Sequence, residues 1–150
     1  MMAEQFATTL DVYLMTGDLL EDPTDLETAD GRPATVTCAR DRLARCIGGD
    51  SDEFTQEDAE VAAEGIAAAQ RRHIGRALDA VLGSRLSPPA RIFLSGVGSF
   101  LARQIVQECP QLAEAKTVSL LEIFGPGVTE AACAFAVARL AAERNESGSL

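Results

Sequence analysis

After Ser87-Pro88-Pro89 the spacing of apolar residues changes from helical to extended, and that change commits the chain to a mixed architecture. Adjacent prolines disfavour helix on their amino-terminal side, so a helical first part ends before them. Beyond them Arg91-Ile92-Phe93-Leu94 is a short apolar run ending in Ser95-Gly96-Val97-Gly98-Ser99. Leu101, Ile105 and Cys109 then mark a helix stopped at Pro110. Val118, Leu120 and Leu121 supply a second strand candidate, followed by Gly125-Pro126-Gly127 and an alanine-rich helix from about Val128 to Glu143. The order β-α-β-α predicts a parallel pair joined by a right-handed crossover, with the loops after both strands on one edge of the sheet. Two strands are too few for a stable α/β sheet. The pair is therefore expected to extend a larger sheet, in another chain or in a missing part of this one.

Residues 1–87 read as a mainly helical subdomain and residues 88–150 as the β-α-β-α unit. Phe6, Leu10, Tyr13 and Leu14 recur at helical spacing and Gly17 offers a left-handed stop. Six acids among the thirteen residues from Asp18 to Asp30, with Pro23 and Gly31, describe an exposed loop. Val36, Ala39, Leu43 and Ile47 share one face of a second helix, which places Arg40, Arg42 and Arg45 away from it as surface charge paired with nearby acids. Thr55-Gln56-Glu57-Asp58 resembles a capping box and opens a long helix, with Ile66, Ile74, Leu78, Val81 and Leu82 as its expected buried stripe.

Charge and composition narrow the classes of function. The 150 residues are 47% hydrophobic and 24% charged, as in globular proteins. The net charge of -10 opposes broad binding of nucleic acid or anionic lipid. No run approaches the roughly 20 apolar residues of a membrane span, and the first residues lack the pattern of a secretory signal, so a cytoplasmic location is expected. Cys38, Cys46, Cys109 and Cys133 show no C-x-x-C spacing and read as small apolar core residues. With His73 the only histidine and no cysteine cluster, no transition metal is expected.

Three segments carry candidate chemistry. In Ser95-Gly96-Val97-Gly98-Ser99, glycine lets backbone approach a planar or phosphorylated ligand closely, and the following helix offers unpaired amides. The segment lacks the third glycine of a dinucleotide fingerprint and the lysine of a phosphate loop, so a tight strand-to-helix turn competes with a nucleotide site at Ser95, Gly96, Gly98 and Ser99. Around Gly31, Thr28, Asp30 and Arg32 form a loop able to hold a polar ligand. The guanidinium there suits a carboxylate or phosphate; the competing reading is a solvated turn preceding the second helix. Asp11 is a weak catalytic candidate, a general base if buried at a cleft and an ordinary surface acid otherwise.

Phe6-Ala7-Thr8-Thr9 with Asp11-Val12-Tyr13, then Thr28-Ala29-Asp30-Gly31-Arg32-Pro33, then Arg42-Leu43-Ala44-Arg45, resemble one family in order. Ser95 to Leu101, Gly125 to Val128 and Ala131 to Ala134 continue the likeness. It is the hydantoinase/oxoprolinase-like proteins of the tetrahydromethanopterin-linked one-carbon transfer pathway. That family is similar to the actin-like ATPase and sugar-kinase superfamily, which has a ribonuclease H-like fold. Archaeal relatives include an enzyme of methanofuran synthesis that acts on a diphosphate-activated substrate. The resemblance implies a transferase or ATP-dependent enzyme, with Ser95, Gly96, Gly98 and Ser99 on the nucleotide or diphosphate side. Thr28, Asp30 and Arg32 would face a phosphorylated small-molecule substrate, and Mg2+ would accompany ATP or the diphosphate. It also implies that this sequence corresponds to the carboxy-terminal half alone. The Asp-x-Gly phosphate loop of the amino-terminal half is absent, so a missing lobe or another subunit is the expected partner. The alternative is a non-catalytic helical binding or scaffolding module that retains half of the fold.

Overall fold

A computed structural model describes residues 6–49, 52–85 and 87–147. Its contacts divide the chain into two units, Met1–His73 and Ile74–Leu150, parting along a helix rather than at the prolines. The fold is mixed helical with one small parallel sheet.

The first unit contains helix α1 (Thr9–Met15), helix α2 (Val36–Cys46) and the first turns of helix α3 (Gln56–Gly83). Helix α1 starts where the Thr8 backbone N–H donates to Asp11 Oδ2 at 2.8 Å, and the chain turns away at Gly17, whose φ of +76° suits a residue without a Cβ. The acidic segment after it is an ordered loop. Asp22 N–H donates to the Ala34 carbonyl and Ala34 N–H to that of Asp25, both at 2.9 Å. The Glu21 carboxylate accepts from the first amide of α2, Val36 N–H, at 2.6 Å. At the start of α3 the expected cap is present: Asp58 Oδ2 accepts from Thr55 N–H and Oγ1, and Asp58 N–H donates back to Thr55 Oγ1. These bonds hold the Asp58 carboxyl below the usual carboxylate range.

The buried stripe of α3 in this unit differs from the expected one. Ile66 is 44% exposed, and Ala59, Ala63 and Ala67 are buried instead. Steps of four residues put these alanines on one face with Gln70, whose Oε1 accepts from the Tyr13 hydroxyl at 2.8 Å. Selecting large side chains as the core face overlooked a face built of small ones. Val12, Tyr13, Leu14, Met15, Ala34, Ala39, Leu43, Ala44 and Phe54 are buried with them in this unit.

The second unit contains the end of α3, strand β1 (Arg91–Leu94), helix α4 (Ser99–Glu108), a 3₁₀ turn at Pro110–Leu112 and strand β2 (Lys116–Ser119). Three helices follow: α5 (Leu120–Phe124), α6 (Pro126–Glu130) and α7 (Ala132–Ser147). The strands pair in parallel, Arg91 with Lys116 through Leu94 with Ser119, as the alternation predicts. Leu82, Cys109 and Leu112 form a core against which Leu78, Ile92, Val106 and Ala115 pack. Val81, placed in the α3 stripe by spacing, is exposed beside the buried Leu82.

Two boundaries move. Leu120 and Leu121, read as strand, open α5, because the Ser119 hydroxyl accepts from Glu122 N–H at 3.4 Å and caps a helix there. The final helix is broken at Ala131, between α6 and α7. The cysteines also divide: Cys109 is buried as expected, whereas Cys46 and Cys133 are exposed and Cys38 is half-buried. Among the described residues no helix is long and apolar enough to cross a membrane.

Candidate functional site

The helical period of α2 carries more than apolar residues inward. Ala39, Arg42 and Leu43 are all buried, so Arg42 lies on the stripe rather than away from it. Its side chain is 0% exposed, and so is Asp11 on α1. This corrects both the surface placement of Arg42 and the surface alternative for Asp11. The two charges meet: Arg42 Nε donates to Asp11 Oδ1 at 2.7 Å. Nη2 lies 2.7 Å from the same oxygen, in charge contact rather than as an aligned hydrogen bond. The other carboxylate oxygen, Oδ2, takes the Thr8 amide, so Asp11 is committed to structural partners on both sides.

Arg42 extends the pair to the Gly31 loop. Nη1 donates to Asp30 Oδ1 at 3.0 Å, and the carbonyls of Arg32 and Pro33 lie at 3.5 Å. The loop folds on itself through Thr28 Oγ1, which donates to the Arg32 carbonyl at 2.6 Å, with Gly31 at a φ of +72° between them. Asp30 also accepts from Arg32 N–H at 3.2 Å, Arg32 Nε at 2.8 Å and Arg45 Nη1 at 2.9 Å. Arg32 Nη1 reaches Asp41 Oδ2 at 3.0 Å, and Arg40 donates to the other oxygen of Asp41 at 3.3 Å. The expected substrate residues Thr28, Asp30 and Arg32 therefore do come together, inside an ion network of Asp11, Asp30, Asp41, Arg32, Arg40, Arg42 and Arg45.

Partial burial of Asp30 pushes its carboxyl upward, but hydrogen bonds from Arg32, Arg42 and Arg45 outweigh this and hold it well below the usual carboxylate range. Asp41 is lowered in the same way: burial opposes, and Arg32 and Arg40 prevail. For Arg42, burial disfavours the cation, yet Asp11 and Asp30 raise its pKa. Four guanidinium groups face three carboxylates. Among the described residues Arg32 Nη2 and Arg40 Nε are enclosed without an acceptor, so the network has more donors than its own side chains satisfy.

The second candidate segment lies in the second unit. Gly96 has a φ of +87° and starts the turn from β1 into α4. Its N–H donates to Thr129 Oγ1 at 3.1 Å, and Ser95 Oγ donates to the Thr129 carbonyl at 2.8 Å. The buried Thr129 thus fastens this turn to the junction of α6 and α7. A cavity of about 630 Å³ opens there, lined by Ser95, Gly96, Thr129 and the run from Glu130 to Ala134 with Ala136. Gly98 and Ser99 lie outside that lining: Gly98 caps α4 and Ser99 begins it. The alanine and glycine walls fit a flat apolar group such as a nucleobase. No lysine or arginine lines the cavity, and its one carboxylate is Glu130, which with the phosphates of a ligand could hold magnesium.

Sequence reasoning missed Arg42 and Asp41. For Arg42 a signal existed: it stands three residues after Ala39 and next to Leu43, inside the apolar period. Asp41 has no such signal, since only the fold brings Arg32 beside it.

Removing one partner of the buried pair leaves the other charge uncompensated. Arg42→Ala should destabilise the first unit by about 3–5 kcal/mol in denaturant titration, and Asp11→Leu with Arg42→Met should recover much of the loss. The depressed Asp30 and Asp41 carboxyls stabilise the fold above their unfolded pKa of about 3.9. That contribution disappears as pH falls through the folded values, so the unfolding midpoint should drop from about pH 5 downward, and Asp30→Asn should flatten the drop. Comparison with protein-family models and with curated protein sequences gives no match.

Proposed function

We propose that this chain is the carboxy-terminal part of an actin-like-fold enzyme of tetrahydromethanopterin- or methanofuran-linked one-carbon metabolism, acting on a phosphorylated or diphosphate-activated substrate. One observation carries the reading. The separate segments that bear the resemblance in the first unit converge on one network: Asp11 from the first, Thr28, Asp30 and Arg32 from the second, Arg42 and Arg45 from the third. A network with more donors than acceptors suits an anionic group at its half-exposed rim, where Arg32 and Arg45 share one oxygen of Asp30. In the second unit, the glycine turn and the small-residue cavity suit the nucleoside side of a cofactor. Within this reading Asp11 is a positioning residue: it holds Arg42, and Arg42 holds the substrate loop. The phosphates and magnesium would be held by a partner lobe.

A second reading, a non-catalytic scaffolding module, is favoured by the absence of an Asp-x-Gly phosphate loop from this sequence. Thermal unfolding of the full chain separates the two. The enzyme reading expects stabilisation by MgATP, lost in Cys133→Trp, which fills the cavity from an exposed position. It also expects stabilisation by pyrophosphate, weakened in Arg45→Gln. At a ligand concentration one hundred times the Kd, each effect corresponds to about 2.7 kcal/mol. No shift with either ligand, in folded protein with the partner lobe supplied, contradicts the enzyme reading and leaves the module.

A further inference from the structure

The sheet of the second unit is covered on one face only. Ile92 and Leu94 of β1 point to the covered side: Ile92 packs on the core of Leu82, Cys109 and Leu112, and Leu94 is buried, as is its β2 partner Ser119. Side chains alternate along a strand, so Arg91 and Phe93, with their partners Lys116 and Val118, share the opposite face. That face is largely open: Phe93 is 60% exposed, Arg91 and Lys116 are exposed beside it, and Val118 is half-buried.

Two features of this face describe what would cover it. Parallel strands are ordinarily enclosed by helices on both sides, and here helices cover only one. Arg91 and Lys116 are also direct cross-strand neighbours, and a like-charge pair in that position destabilises a sheet. Neither has an ion-pair partner among the described residues. Apolar surface bordered at one end by a pair of uncompensated cations is complementary to apolar surface bordered by carboxylates.

We propose that the open face of the β1–β2 pair docks an acidic amphipathic helix supplied by another polypeptide, its apolar side on Phe93 and Val118 and its carboxylates against Arg91 and Lys116. This rests on the partner part of the reading above and gives that partner a chemical description; it does not depend on nucleotide binding.

The test is a photo-crosslinking phenylalanine analogue at position 93 of the full chain, expressed in the cells that naturally make it, with adducts mapped by peptide mass spectrometry. The expected adduct lies in a helical segment of a different protein that carries Asp or Glu beside its apolar positions. Its yield should fall at least fivefold in Arg91→Glu/Lys116→Glu, or in Lys116→Gln if the double variant does not fold. The proposal is overturned by no adduct, by an adduct to a second copy of this chain, by an adduct to a segment without acids, or by a yield indifferent to these charges. MgATP stabilisation can be present or absent whichever way the adduct maps, so the two readings fail separately.

Discussion

A guanidinium removed from water needs a counter-charge with matching geometry, and Arg42 finds it in Asp11. This requirement organises the first unit. Asp11 sits in α1 because the Thr8 amide and the helix start fix it there; Arg42 sits in α2 because the helical period turns it inward. The two helices must then approach with those positions facing. Once they do, Nη1 of the same guanidinium lies at the base of the Gly31 loop and fixes Asp30, through which Arg32 and Arg45 are placed. Buried ion pairs contribute little net stability compared with apolar residues of similar volume, yet a broken one costs several kcal/mol. The pair therefore specifies one arrangement of α1, α2 and the loop more than it strengthens the unit.

The second unit is governed by a different constraint. Parallel strands need cover, and a two-stranded sheet supplies little of its own. The short turn at Gly96 and its fastening by Thr129 give the β1 end a defined shape, with the α6–α7 junction closing one side of the cavity. The remaining sheet face carries the exposed Phe93 beside the Arg91–Lys116 pair. Both units thus place their distinctive chemistry at or beside surface: a donor-rich loop rim in one, a glycine turn and an open sheet face in the other.

Much of the architecture was legible in the sequence. The prolines at 88 and 89, the glycine turn and the return of helical spacing predicted two parallel strands around a helix, and Thr55 with Asp58 predicted the start of α3. What escaped depended on partners distant in sequence. Leu120 and Leu121 look like strand until Ser119 is seen as a cap. Ala59, Ala63 and Ala67 look neutral until packing shows them as the buried face. Arg42 looks like surface charge until its period is weighed against its polarity, and Asp11 and Arg42 make sense only together. At the candidate sites, spacing singled out loop residues that bond to one another, Thr28, Asp30 and Arg32, and two turn residues that line the cavity, Ser95 and Gly96. It could not tell that Gly98 and Ser99 serve α4 rather than the cavity.

The central claim is that the planar fork of Arg42, bonded to Asp11 and Asp30 together, holds the Gly31 loop in place. Amide hydrogen exchange in Arg42→Lys tests it most directly, because lysine keeps the charge but loses the fork. The account predicts at least tenfold faster exchange at the amides of Asp22, Gly31 and Ala34, with the amides inside α3 unchanged. Equal exchange at these loop positions in the variant and the parent chain would contradict it.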